Sequence, residues 1–133
     1  MTAALKPIIE AVEQLLMGDT LLGALLTTVE PGRVASGTKL NYLTFTAPSE
    51  TGFNLFARPG SDGSLQINIW AKTYELVVDI WTHIHRLLQN QDLAVQNHMH
   101  IRGQAHLVTI MDDPDSEAVI HGVVRYEWTT LSR

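Results

Sequence analysis

Residues 73–89 constrain the fold more than any other stretch of the chain. At the roughly 100° per residue of an α-helix, Tyr74, Val77, Val78, Trp81, Ile84 and Leu88 fall together, and Leu76, Ile80 and Leu87 widen that arc on one side. The apolar arc spans roughly 200°, about twice what a helix needs to pack on a single core. Glu75, Asp79, Thr82 and Arg86 hold the remaining polar side. Two explanations of the width stay open. The helix is sunk deep in its own fold, or it is buried once by its own sheet and once by a neighbouring subunit.

The segment just before this helix is a strand. Leu65, Ile67, Ile69 and Ala71 alternate with Ser64, Gln66, Asn68 and Trp70, the period-2 pattern of a half-buried strand. That alternation points Trp70 outward. Thr73 follows as the helix N-cap.

The rest of the chain supplies the partners. Leu5, Ile8, Ile9, Val12, Leu15 and Leu16 recur at helical spacing, and Pro7 suits a first helical turn. Gly18-Asp19 interrupts the pattern, and Asp19 is placed to cap a short second helix carrying Leu22, Leu25, Leu26 and Val29. Residues 7–29 are thus one broken helix or two short ones. Leu40 to Ala47 reads as a strand stopped by Pro48. Residues 48–63, with Pro48, Gly52, Pro59, Gly60 and Gly63, have loop chemistry. This loop also carries Phe53, Leu55 and Phe56, and large apolar groups in a loop pack on something. Leu93 to Met99 and Ile101 to Met111 read as strands, with Gly103 as a candidate bulge. After the acidic turn Asp112-Asp113-Pro114-Asp115-Ser116, Ala118 to Thr130 reads as a long strand with Ile120, Val124, Tyr126 and Trp128 on one face.

The element order is α-β-β-α-β-β-β, without the regular βαβ alternation of a doubly wound sheet. The expected fold is α+β: a mostly antiparallel four- to five-stranded sheet with two main helices packed on one face, in a single domain over residues 1–133. At 45% hydrophobic and 17% charged residues the chain can bury a core. No apolar run reaches membrane-spanning length, and Met1 to Leu5 leads into Lys6, Pro7, Glu10 and Glu13 without the apolar run of a signal peptide. A soluble protein made in the cytoplasm is expected.

Chemistry is sparse. With no cysteine, thiol nucleophiles, disulfides and Cys-ligated zinc are excluded. A formal charge of −5, with nine scattered Lys and Arg, lacks the basic footprint of a duplex nucleic-acid binder. Arg58 near Phe53 and Phe56 could stack on single-stranded bases, but the acidic balance argues against it. Six histidines raise a metal reading. His83 and His85 point about 200° apart on a helix. His98 and His100 share a face on a regular strand, and His106 and His121 would meet across the final hairpin. No HExxH or comparable zinc spacing accompanies them. The acidic turn fails the spacing of a calcium loop. No phosphate-binding loop and no GxSxG elbow occur. The expectation is a non-enzyme without cofactor or metal.

Three stretches resemble a known family. They are Val12-Glu13-Gln14-Leu15-Leu16 through Leu25-Leu26; Gln66-Ile67-Asn68-Ile69-Trp70-Ala71 running into Tyr74 to Leu88; and Asp112-Asp113-Pro114-Asp115 followed by Ala118 to Tyr126. In order and at similar lengths these resemble the tail-completion or tail-terminator proteins of long-tailed bacteriophages. The resemblance implies a structural virion protein of the tail neck. It implies a ring, usually a hexamer, at the head-proximal end of the tail that ends tube growth and joins the tail to the head. The implied partners are further copies of the chain, the tail-tube protein and a head-tail connector or stopper. No membrane and no sequence-specific nucleic acid are implied, though DNA could pass through the ring. Candidate contact residues are Phe53, Leu55, Phe56, Arg58, Trp70, Leu76, Ile80, Asp112, Asp113 and Asp115. The rival readings are another connector or minor tail protein, and a small metal-binding domain or enzyme built on His98, His100, His106 or His121.

Overall fold

The computed structural model describes residues 3–31, 39–55, 58–89, 93–113 and 118–133, without the side chains of Pro31 and Leu55. Helix α1 runs Leu5–Met17 and buries Ile8, Ala11, Val12 and Leu16. Asp19 then caps the short helix α2, Thr20–Gly23, by accepting the Leu22 N–H at 2.9 Å. The expected continuation of this helix to Val29 does not occur. Thr28–Pro31 is instead a short strand, β1. The run Thr27-Thr28-Val29 is β-branched and favours extended backbone. Thr27 is tied to the Lys39 and Asn41 carbonyls through its hydroxyl, at 2.6 and 2.9 Å.

Strands β2, Tyr42–Leu55, and β3, Arg58–Ala71, form one long antiparallel hairpin. This overturns the expected loop over residues 48–63. Pro48 sits where the register shifts between Thr46 and Ser49, beside Ala47 at φ 48°, so the missing N–H falls in a bulge. Pro59 lies close to the hairpin end. Gly60 and Gly63 mark close packing and not turns. A Cβ on Gly63 would run into the Trp128 indole, and one on Gly60 would come 2.7 Å from Phe53 Cζ and 2.9 Å from Leu131 Cδ2.

Helix α3, Tyr74–Leu88, is capped by Thr73, whose hydroxyl accepts the Leu76 N–H at 3.1 Å. Strands β4, His98–Asp112, and β5, Ile120–Ser132, complete the sheet. Residues 93–97 are not strand, although Leu93 and Val95 are buried. Nor is Gly103 a bulge. The irregularities lie between His100 and Arg102 and between Leu107 and Thr109, and Gly103 instead leaves room for the Tyr126 hydroxyl.

The sheet order is β1-β2-β3-β5-β4, antiparallel except for the parallel β1–β2 pair. The architecture is α+β as expected; relative to the anticipated order β1 is added, and the two strands expected over Leu93 to Met99 and Ile101 to Met111 are one strand, β4. α3 packs on β3, β5 and β4, while α1 packs on β1, β2 and the other helices. Between the layers lie Leu43, Phe45, Leu65, Ile67, Ile69, Val124, Tyr126 and Trp128 from the sheet. Val77, Ile80, Ile84 and Leu88 meet them from α3. The opposite face of the sheet carries no helix among the described residues.

Candidate assembly surface

The helix-free face of the sheet is built around Trp70. The alternation of β3 puts Leu65, Ile67 and Ile69 against the helices, so Gln66, Asn68 and Trp70 share the outer face. Pairing places Tyr42 and His121 on either side of Trp70. The His121 ring stacks on the indole with centroids 3.9 Å apart and planes 8° from parallel, and Tyr42 sits at 6.4 Å. Trp70 Nε1–H donates to Thr44 Oγ1 at 3.1 Å. Trp70 is therefore outward-facing, as its alternation predicts, but half-buried among its neighbours.

A polar network continues from it. Asn68 Oδ1 accepts from His121 Nε2 at 2.9 Å and from Gln66 Nε2 at 2.7 Å, and Asn68 Nδ2 donates to Thr46 Oγ1 at 2.8 Å. The contact to Asn68 Oδ1 puts the imidazole proton on Nε2. Burial lowers the His121 pKa below its ordinary 6.5, with Asp113 pulling weakly the other way. The neutral ring is thus favoured in a stack that also satisfies Asn68, which is 3% exposed.

The expected contact residues divide among separate places. Trp70 lies at one end of the sheet with exposed Asp112 and half-buried Asp113, whose N–H donates to the Val119 carbonyl at 3.0 Å. Phe53 and Arg58 lie at the other end. Phe53 is half-buried over Gly60 beside Leu131, and Arg58 is exposed at the start of β3. Leu76 is half-buried against the core. Ile80 is corrected: at 0% exposure it belongs wholly to the core of its own chain and has no surface to offer a neighbour. Phe56, Asp115 and the Leu55 side chain lie outside what the structure describes.

The histidines do not converge. His98 and His100 do face the same way, but His98 Nδ1 is 2.8 Å from the Gln96 carbonyl. His100 receives the Leu93 N–H on Nδ1 at 3.2 Å and places Nε2 3.1 Å from the Tyr126 hydroxyl. His106 pairs with Arg125 and His121 with Met111, so the expected meeting across the hairpin fails by four residues. His83 accepts from Arg86, which also bonds Asp19 at 2.9 Å. The Leu22 N–H, and then Arg86, hold the Asp19 carboxyl below its ordinary pKa. Among the described residues no three His, Cys, Asp or Glu side chains are grouped to hold a metal ion. A shallow outer depression of about 350 Å³ is lined by Thr51, Asp62, Arg102, Arg125 and Glu127 among others, a charged surface without an enclosed ligand cavity.

Sequence reading missed the buried Asn68 network. Its signal was the pair Gln66 and Asn68 at outer positions of a central strand, where polar side chains bond one another when no water reaches them. It also missed that one edge of the sheet, β4, is a 15-residue strand with β5 on one side and no strand on the other among the described residues.

Residues 10–131 match the family described as tail completion protein gp17. The chain belongs to that family. It is accordingly a structural protein of the phage tail, located in the virion at the tail and neck. A chain in a solved structure titled "Virion of native gene transfer agent (GTA) particle" has the same fold, with a TM-score of 0.86 at 12% identity. The likeness covers 99% of this chain and 100% of that one. No curated protein sequence matches. Among the described residues no helix is long and apolar enough to cross a membrane.

Proposed function

We propose that this tail completion protein forms a closed ring, a hexamer, at the head-proximal end of the tail. The ring ends growth of the tail tube and gives the head connector a face to dock on. Family membership over residues 10–131 is the observation that carries this reading. The long strand β4, with no strand on its outer side among the described residues, supports it, because a head-to-tail ring needs a surface on each flank of the subunit. Trp70 and Asp112 at one end of the sheet, and Phe53 and Arg58 at the other, are the proposed contacts to tail tube and connector.

Light scattering of the purified chain, alone and with tail-tube protein, tests the ring. The expected result is a particle of six subunit masses, formed alone or on addition of tube protein. A monomer at every concentration, unchanged by tube or connector protein, would overturn it. A role as another connector or minor tail protein fits the same family, and its mark would be density elsewhere in the head-to-tail region.

A further inference from the structure

Among the described residues no further strand lies on either flank of the sheet, and on β4 the Ala105 N–H donates to Gln89 Oε1 at 2.9 Å. Along β4 the outer edge has no strand beside it among the described residues. On the other flank β1 covers β2 only from Tyr42 to Phe45, so Ser49–Leu55 pairs with β3 on one side and with no described strand on the other. Unpaired strand edges present rows of N–H and C=O groups that another chain can complete.

These two edges fit each other. Thr51 pairs with Asp62, Asp62 with Thr129, and Thr129 with Arg102, so Thr51 and Arg102 end the same row on the same outer face. Each step along the order β2-β3-β5-β4 is antiparallel, so β2 and β4 run in opposite directions. A second copy set beside the first by rotation about an axis near the strand direction therefore brings β4 antiparallel to the next β2, level with it and with outer faces matched.

The charges agree with this placement. From His98 to Met111, β4 carries Arg102 and no acid, and the neighbouring strand carries exposed Arg125 and, two residues on, half-buried Glu127. From Ser49 to Asn54, β2 carries no base, and exposed Asp62 lies beside it on the outer face, while Glu50 turns to the helix side and accepts the Ala4 N–H at 2.8 Å. One row away, half-buried Met99 lies level with half-buried Phe53. Pairing has a natural limit, since the bulge between Leu107 and Thr109 bends β4 at about the level where β1 already occupies the neighbour's β2.

We propose that Met99–Gln104 of one copy pairs with Ser49–Phe53 of the next, making the sheet continuous around the ring. This rests on the ring reading above. The absence of native cysteine makes the test clean. In the double variant Thr51→Cys with Arg102→Cys, the facing Cα atoms would sit about 4.5–5.5 Å apart, within disulfide reach. Oxidised protein should run on a denaturing non-reducing gel as a series from dimer to closed ring and collapse to monomer with reductant. Either single variant should stop at dimer or below. Both positions are exposed, and far-UV circular dichroism checks that the variants fold. Rings of full mass that fail to cross-link, both here and in the next-row pair Phe53→Cys with Met99→Cys, would overturn the strand pairing and leave the ring standing. Absence of rings from the unmodified chain, alone or on tail tubes, would overturn the ring reading and this pairing with it.

Discussion

Replacing Ile80 with alanine asks which side of α3 is core. Ile80 is 0% exposed and lies with Val77, Ile84 and Leu88 against the sheet. The substitution removes roughly three buried carbon groups, and at about 0.8 kcal/mol each the lost transfer energy is about 2.4 kcal/mol. The residual cavity raises the total to about 3–4 kcal/mol, inside the range measured for such truncations. For 133 residues, an unfolding entropy of about 2.1 cal/mol/K per residue sums to about 0.28 kcal/mol/K, so the Tm should fall by about 11–14 °C. Leu76→Ala, at a half-buried position on the same helix, should cost about 1–2 kcal/mol. Urea unfolding gives both numbers, provided the slope of the transition stays unchanged. An Ile80→Ala chain within about 1 kcal/mol of the parent, beside a Leu76→Ala chain that loses about 3 or more, would refute the assignment of the core face.

Other substitutions probe the outer face and the close packing. Trp70→Asp should leave a folded chain that gives up about 0.5–1.5 kcal/mol of ring stacking and assembles poorly; a chain that no longer folds, by circular dichroism, would show that the residue is core. Gly63→Val should lower the urea midpoint by overpacking Trp128, at a cost of about 1–3 kcal/mol or more; an unchanged midpoint contradicts the contact. Because burial lowers the His121 pKa, the unfolded chain binds a proton that the folded chain does not. The corresponding stability is present above the ordinary value of 6.5 and is lost as pH falls from there towards the folded value. Urea midpoints measured from about pH 8 to about pH 5 should show this loss, and His121→Gln should flatten it.

The layered α+β plan was legible because periodicity reports burial directly. Leu65, Ile67, Ile69 and Ala71 alternate and are all buried, and both Asp19 and Thr73 cap the helices they were expected to cap. What failed was the reading of glycine and proline as punctuation. Over residues 48–63 these residues permit a bulge at Pro48 and admit Phe53 and Trp128 across Gly60 and Gly63. A strand that packs aromatic rings over glycines has the same local composition as a loop. The width of the α3 arc was read correctly but divided wrongly. Ile80 is core, while Trp81 stays half-buried near His85 and Tyr74 is 62% exposed. Periodicity gives the arc, but its centre depends on where the sheet lies, which is tertiary information. For the same reason the histidines could not be placed in advance. Two register shifts interrupt β4, and the one between Leu107 and Thr109 sets which residue faces His106, while His121 lies on its turn side opposite Met111. No local pattern around residues 100–109 announced those shifts, and Gly103, the expected bulge, is regular.

The central claim is a place in the virion, so imaging assembled particles tests it most directly. A density map of the tail and neck should show this chain as one closed ring between the last tube layer and the head connector. Its fold should be recognisable there from the five-stranded sheet with α3 across it. A map that locates the chain elsewhere in the particle, as isolated copies, or not in the particle at all would contradict the account.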